Sequence, residues 1–258
     1  MTTQTDINFS LDLSDQVALV TGASSGIGDR FARVLAKCGA KVIIAARRFD
    51  RLASLANEIN KEGGICEPLE LDMTDRDSIQ NAVIEAKKHF GTINTLVNNA
   101  GVNNGGLATK QPYSEIDPVI STNLTGPYVL CCEIARDLIK EKKPGRIINV
   151  SSMMAFAVEH PGSAIYTTSK GGMVRLTEAL AVEWATKGIN VNCIAPGAVD
   201  TEMMDKVFET TGDFTELLPR KRMMVPDQLD SVLLFLVSPS SDCVTGAVIK
   251  IDDAQSPR

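Results

Sequence analysis

The chain has two histidines, one tryptophan and three tyrosines in 258 residues. With histidine only at 89 and 160 and no C-x-x-C among its cysteines, a zinc site is not expected. The six cysteines, at 38, 66, 131, 132, 193 and 243, sit in a chain too long for a disulfide miniprotein. They read as reduced thiols of a cytoplasmic protein. No apolar run approaches the length of a membrane span. Residues 1–15 lack a basic start followed by an apolar stretch, so a signal peptide is not expected. There is no block of like charge, no internal repeat and no low-complexity linker. A net charge of −6 argues against nucleic acid as the main partner.

What is present is a hydrophobic share of 44%, enough for a sizeable core, in strand-like and helix-like runs that alternate nearly to the end. Short apolar runs fall at 16–21, 41–45, up to 71–72, 93–97, 146–150, 190–194 and 247–251. Between them lie helical patterns, among them 50–62, 75–90, a long one over 114–143 that Pro127 should kink, and one from 165 to about 187. The expectation is a single α/β domain over 14–258: a Rossmann-type, doubly wound parallel sheet of seven strands with helices on both faces. Residues 1–13 read as a flexible arm. Residues 199–222, mixing Met, Phe, Thr and Gly without one period, read as a mobile lid. Ligands of such sheets bind at the carboxyl ends of the strands, where Gly22, Asp72, Asn98, Ser152 and Pro196 fall.

Two motifs carry chemistry. The first strand runs into Thr21-Gly22-Ala23-Ser24-Ser25-Gly26-Ile27-Gly28 and then a helix. Free amides at that helix start would face a pyrophosphate, which glycines let approach the backbone. The spacing is neither G-x-G-x-x-G nor the triphosphate loop G-x-x-x-x-G-K-[ST]. Residues 22–26 also fit the hydrolase elbow G-x-S-x-G, but that needs a histidine late in the chain, and the last is His160. The second motif is Tyr166 and Lys170, four apart and one turn above each other on a helix. An ammonium beside a phenol should lower its pKa from about 10 and fit it for proton transfer near neutrality.

Together these segments resemble the short-chain dehydrogenase/reductase family over about residues 14–252. Thr21–Gly28 matches its T-G-x-x-x-G-x-G, and Asn98-Asn99-Ala100-Gly101 its N-N-A-G. Asn123 sits in a matching S-T-N-L-T-G context, Ser152 and Tyr166-x-x-x-Lys170 match the catalytic pattern, and Pro196-Gly197 with Thr201 matches P-G-x-x-x-T. The resemblance implies a nicotinamide cofactor and four catalytic residues. Tyr166 would exchange the proton with a ketone oxygen, Lys170 would hold the nicotinamide ribose, Ser152 would orient the carbonyl, and Asn123 would hold a water linking Lys170 to solvent. It implies cofactor binding by Gly22, Ser24, Ser25, Gly26, Ile27, Gly28, Arg47, Arg48, Asp72, Met73, Asn99, Ala100, Gly101, Pro196, Gly197, Val199 and Thr201, besides Tyr166 and Lys170. It also implies a homodimer or homotetramer through the two long helices. Two positions depart from the pattern. Ser152 stands fourteen residues before Tyr166 where many relatives have thirteen, which leaves Ser151 as the other candidate. The last strand ends Asp252-Asp253-Ala254 where relatives often carry D-G-G.

The second strand ends at Ala46, followed by Arg47 and Arg48. A carboxylate there would bind the ribose hydroxyls of NAD, whereas arginine accommodates the 2′-phosphate, so NADP is the expected cofactor. Met153, Met154, Phe156, Met203 and Met204 suggest an adaptable apolar pocket for a hydrophobic ketone or β-keto ester. A 3-oxoacyl-thioester reductase is the alternative, with Lys143 and Lys187 as a docking surface for an acidic carrier protein. From another class, the alternative is a non-catalytic dinucleotide-binding regulator.

Overall fold

A computed structural model of the chain describes residues 9–158 and 161–256. Seven strands, β1 (Val17–Thr21), β2 (Lys41–Ala46), β3 (Ile65–Glu70), β4 (Thr95–Asn98), β5 (Gly145–Val150), β6 (Ile189–Pro196) and β7 (Val248–Ile251), form one parallel sheet in the order β3-β2-β1-β4-β5-β6-β7. All five residues of β1 are buried, as a central parallel strand requires, because helices cover both faces. Ala18, Val20, Val42 and Ile44 face one core, with α1 (Gly26–Lys37), α2 (Phe49–Lys61) and α8 (Asp230–Val237) packed on it through Phe31, Leu52 and Leu233. Leu19, Ile43, Leu96 and Ile147 face the other, under α3 (Arg76–Phe90), α5 (Gly126–Glu141) and α6 (Ala164–Trp184) through Ile79, Leu130 and Trp184. The doubly wound, single-domain architecture expected from the alternation is therefore the observed one. Strand order reverses between β1 and β4, and that switch point opens the crevice in which the site lies.

The long helical pattern over 114–143 is broken, and its break has a chemical cause. Pro127 lacks the N–H that would bond one turn back, and its ring crowds that turn. The chain answers with a π-turn, Ser121–Thr125, between α4 (Tyr113–Ile120) and α5, in which the Gly126 N–H donates to the Ser121 carbonyl. Asn123 is carried in this turn and is completely buried.

Three segments differ from the sequence expectation. Residues 9–13 are fastened to the body: Leu13 is buried and donates from its N–H to the Cys38 carbonyl, and the Ser10 N–H donates to Ser240 Oγ at 3.0 Å. The rest of the expected arm lies outside the described residues. The stretch read as an irregular lid contains a helix, α7 (Glu202–Thr211), which begins with the acidic residues Glu202 and Asp205 that suit a helix N-terminus. Its base is stitched by a parallel bridge between Val199 and Met224, and Phe208 meets Phe214 edge-on at 5.2 Å. At the C-terminus Asp253 and Ala254 hold left-handed φ angles of 50° and 69°, where relatives often place glycine. Asp253 is fixed there by Arg222 at 2.8 Å and Arg220 at 3.1 Å, both from the far end of the lid.

Gly126 lets the π-turn approach the loop after β3: a Cβ there would strike the carbonyl oxygens of Met73 and Ser121. Gly126→Ala is expected to lower stability by about 1–3 kcal/mol through this overpacking. A fall in the urea midpoint at unchanged m-value is the measurement that checks it.

Candidate active site

The loop between β1 and α1 is shaped for close approach. Gly22 has φ of 67°, and a Cβ there would sit 2.7 Å from Ala100 Cα. Gly28 serves differently: a Cβ would strike Asn99 Nδ2 and the Gly22 carbonyl at 2.5 Å, so it permits packing of α1 under the loop and does not line the cavity. Ser25 caps α1 without a side-chain cap bond, which leaves the first amides of the helix available to an anion. Thr21 ties this loop to the end of β4, its Oγ1 accepting from the N–H groups of Asn99 and Ala100 at 3.1 Å. Asn99 Nδ2 returns a bond to the Thr21 carbonyl at 3.0 Å.

A cavity of about 500 Å³ runs from this loop across the switch point. Its wall brings together Gly22, Ser24, Ser25, Gly26, Ile27, Arg47, Arg48, Asp72, Met73, Asn99, Ala100, Gly101, Pro196, Gly197, Val199 and Thr201 with Ser152, Met153, Met154, Tyr166, Lys170, Met203 and Met204. Three expected site residues stand outside it: Gly28, Asn123 and Phe156. Phe156, placed in the substrate pocket by sequence, turns instead to β7, where Lys250 Nζ lies 4.7 Å from its ring centroid. Thr74 donates from its N–H and hydroxyl to Asp72 Oδ1, at 2.9 and 2.8 Å, and holds that carboxyl below its usual range, with Arg47 adding its charge.

The two candidate serines part company. Ser151 is buried and donates to the Lys170 carbonyl at 2.8 Å, bracing α6 against β5. Ser152 opens the 3-10 turn Met153–Ala155, accepts from the Met154 N–H at 3.2 Å, and is the side chain that counters the upward shift of the Tyr166 phenol. Both serines line the cavity, and of the two it is Ser152 whose hydroxyl bears on the Tyr166 phenol. Lys170 is buried, its Nζ 5.7 Å from the Tyr166 ring centroid and donating to the Val150 carbonyl at 2.9 Å.

The expected lowering of the tyrosine pKa is not what the protein groups alone produce. Burial raises the Tyr166 pKa above the phenol's usual value, and the Ser152 hydrogen bond opposes it. The same burial brings Lys170 down to about 8. Asn123 straps this centre together. Its Oδ1 accepts from the Val102 N–H at 2.8 Å, and its Nδ2 donates to the Val102 carbonyl at 2.9 Å and to Ser169 Oγ at 3.0 Å. Behind it Asn98 donates to Asn149 and Asn149 to Thr177, both at 2.9 Å, a buried ladder joining β4, β5 and α6.

Sequence reasoning missed Asn103, Asn104, Lys206 and Phe214 in the wall, and Glu202, which pairs with Arg48 at 2.9 Å and with Arg51. Lys143 and Lys187 precede the first residues of β5 and β6, so they stand at the amino end of the sheet, a full strand length from the cavity, and Lys143 is paired with Glu141.

Free helix-start amides, glycines against a cleft and a serine–tyrosine–lysine cluster at a sheet's switch point fit a nicotinamide dinucleotide and define an oxidoreductase of the dinucleotide-binding α/β class. The chain matches the family described as short chain dehydrogenase over residues 16–212. It is 36% identical over 241 residues to the 3-oxoacyl-acyl-carrier-protein reductase FabG of Thermotoga maritima, covering 93% of this chain and 97% of that one. Among solved structures it resembles a short-chain type dehydrogenase/reductase from Mycobacterium marinum, with a TM-score of 0.92, 34% identity and coverage of 96% and 98%. It also resembles a variant of actinorhodin polyketide ketoreductase with NADPH, with a TM-score of 0.90, 30% identity and coverage of 94% and 98%. The chain belongs to the short-chain dehydrogenase family.

Lys170 gives the site a pH signature in stability. Its pKa is about 8 in the folded protein against 10.5 for the free side chain, so between these values the unfolded chain binds more protons and stability rises with pH. Below about 8 the full cost of the buried ammonium, about 3 kcal/mol, is present. The stability of the wild type relative to Lys170→Met is therefore expected to rise between pH 8 and 10.5. Thermal melts of both proteins across that range check it.

Proposed function

We propose that this enzyme reduces a ketone to a secondary alcohol with NADPH, and that its substrate is an apolar carbonyl compound or β-keto ester. The observation that carries the reading is the convergence of Ser152, Tyr166 and Lys170 in the wall of one cavity with the glycine loop and with Met153, Met154, Met203 and Met204. A bound nicotinamide would supply the hydride. Ser152 orients the carbonyl oxygen toward Tyr166. The phenol, kept protonated by its burial, donates its proton to that oxygen as negative charge develops. In the oxidative direction Tyr166 takes the proton, with the Ser152 hydrogen bond and the Lys170 charge favouring the phenolate. Lys170, held by the Val150 carbonyl, is placed to bind the nicotinamide ribose. Asn123 positions this group, its Oδ1 and Lys170 Nζ both standing beside Gly101.

NADP over NAD is supported by the absence of an acid at Ala46, by Arg47 and Arg48 in the cavity wall, and by the NADPH-bound ketoreductase among its neighbours. The Thermotoga relative favours a second reading, a 3-oxoacyl thioester as substrate. The intact serine–tyrosine–lysine group speaks against a non-catalytic regulator. Tyr128 and Ile139 on α5 and Val182 on α6 are large apolar side chains at the surface, which supports a dimer or tetramer through these helices. The six free thiols suit a reducing cytoplasm.

Tyr166→Phe is expected to reduce ketone turnover by about 10²–10⁴-fold while leaving NADPH binding intact. Absorbance at the nicotinamide band with a panel of apolar ketones, β-keto esters and acetoacetyl thioesters checks both the loss and the substrate class. Full activity in the variant would remove Tyr166 from the mechanism. Light scattering is expected to give at least twice the mass of one chain, and a clean monomer would refute the assembly.

A further inference from the structure

The adenosine end of the cavity holds a charge arrangement that none of the family motifs contains. Arg48 donates from Nε and Nη2 to Ser24 Oγ, at 3.1 and 2.9 Å, and from Nη2 to Ser25 Oγ at 2.8 Å. Its Nη1 donates to Glu202 Oε2 at 2.9 Å. Arg51, nearly one turn further along α2, binds the other oxygen of the same carboxylate. Glu202 opens α7 and lines the cavity with Ser24, Ser25, Arg47 and Arg48. The strand end that would carry an acid in an NAD enzyme carries none, yet a carboxylate reaches the same place from the lid. It stands on the guanidinium expected to receive a 2′-phosphate.

We propose that Glu202 is a built-in competitor for the 2′-phosphate of NADP: its carboxylate holds Arg48 until the phosphate displaces it, and so sets the ratio of NADP to NAD affinity. The inference rests on the reading of Arg47 and Arg48 as the phosphate end of the site. NAD offers only neutral ribose hydroxyls there and gives no electrostatic reason for Arg48 to leave Glu202. A phosphate carrying nearly two charges repels the carboxylate and attracts the guanidinium. Arg51 keeps Glu202 when Arg48 turns, so the exchange needs one side chain to move and leaves no charge unpaired. All three side chains are about half exposed, so the competition is modest and screened by salt.

The experiment is titration of NADPH and of NADH, followed by nicotinamide fluorescence, into the intact wild type, Glu202→Gln and Arg48→Gln. Each is run at low and high ionic strength, about 0.01 and about 1 M. Glu202→Gln is expected to tighten NADPH about tenfold at low salt and much less at high salt, with NADH changed by less than about twofold. Arg48→Gln is expected to weaken NADPH alone. An unchanged NADPH affinity in Glu202→Gln overturns the proposal. So does a loss of NADH affinity in that variant, which would make Glu202 a ligand of the ribose hydroxyls, or an Arg48→Gln variant that binds NADPH as the wild type does. The wild-type arm tests the cofactor preference separately. Tighter binding of NADH than NADPH there refutes that preference, while a selective gain for NADPH in Glu202→Gln still upholds the competitor.

Discussion

An ammonium buried with no carboxylate beside it is a costly thing to fold around, and Lys170 is one. Among the described residues its one hydrogen-bond acceptor is a backbone carbonyl, that of Val150 at the end of β5. The surrounding polar groups make this tolerable by being committed to one another. Ser151 holds the Lys170 carbonyl, Asn123 holds Ser169 and both backbone groups of Val102, and the Asn98–Asn149–Thr177 ladder locks strand to helix. In a medium of low dielectric such networks hold firmly when satisfied and fail expensively when broken. The charge therefore stays next to the phenol, and the fold around it is correspondingly rigid.

The same burial gives the tyrosine its character. Desolvation disfavours both charged forms, so it lifts the phenol and depresses the amine. A phenol kept protonated beside a serine suits the donation of a proton. The reverse transfer depends on positive charge close by, which links the direction of reaction to whatever else occupies the cleft.

Much of this could be read from the chain. The strand–turn–helix at residues 17–37, the alternation that follows it and the four-residue spacing of Tyr166 and Lys170 are local patterns, and local patterns survive translation into structure. Pro127 announced the break in its helix because its missing N–H is a property of one residue. What escaped depends on distance along the chain. Glu202 meets Arg48 across 154 positions, and no periodicity marks either as half of a pair. Phe156 and Met153 stand three apart in one loop, yet one faces Lys250 and the other the cavity, a choice made by the turn between them. The pKa directions escaped for a similar reason: burial belongs to the whole core, while the reasoning from spacing saw only the neighbouring lysine. The left-handed Asp253 was visible only as an odd residue, since its two arginines come from the far end of the lid.

The lid is anchored at both roots, and near its start Glu202 also ties it to Arg48 and Arg51. Val199 bridges Met224, Met224 exchanges bonds with Ala198 and Asp200, and the C-terminal tail clasps Arg220 and Arg222. The segment between those anchors behaves as a cassette. Exchanging its interior residues beyond Glu202 would change the shape of the door and leave Ser152, Tyr166 and Lys170 in place. A lineage built this way can explore new substrates while its proton chemistry stays as it is.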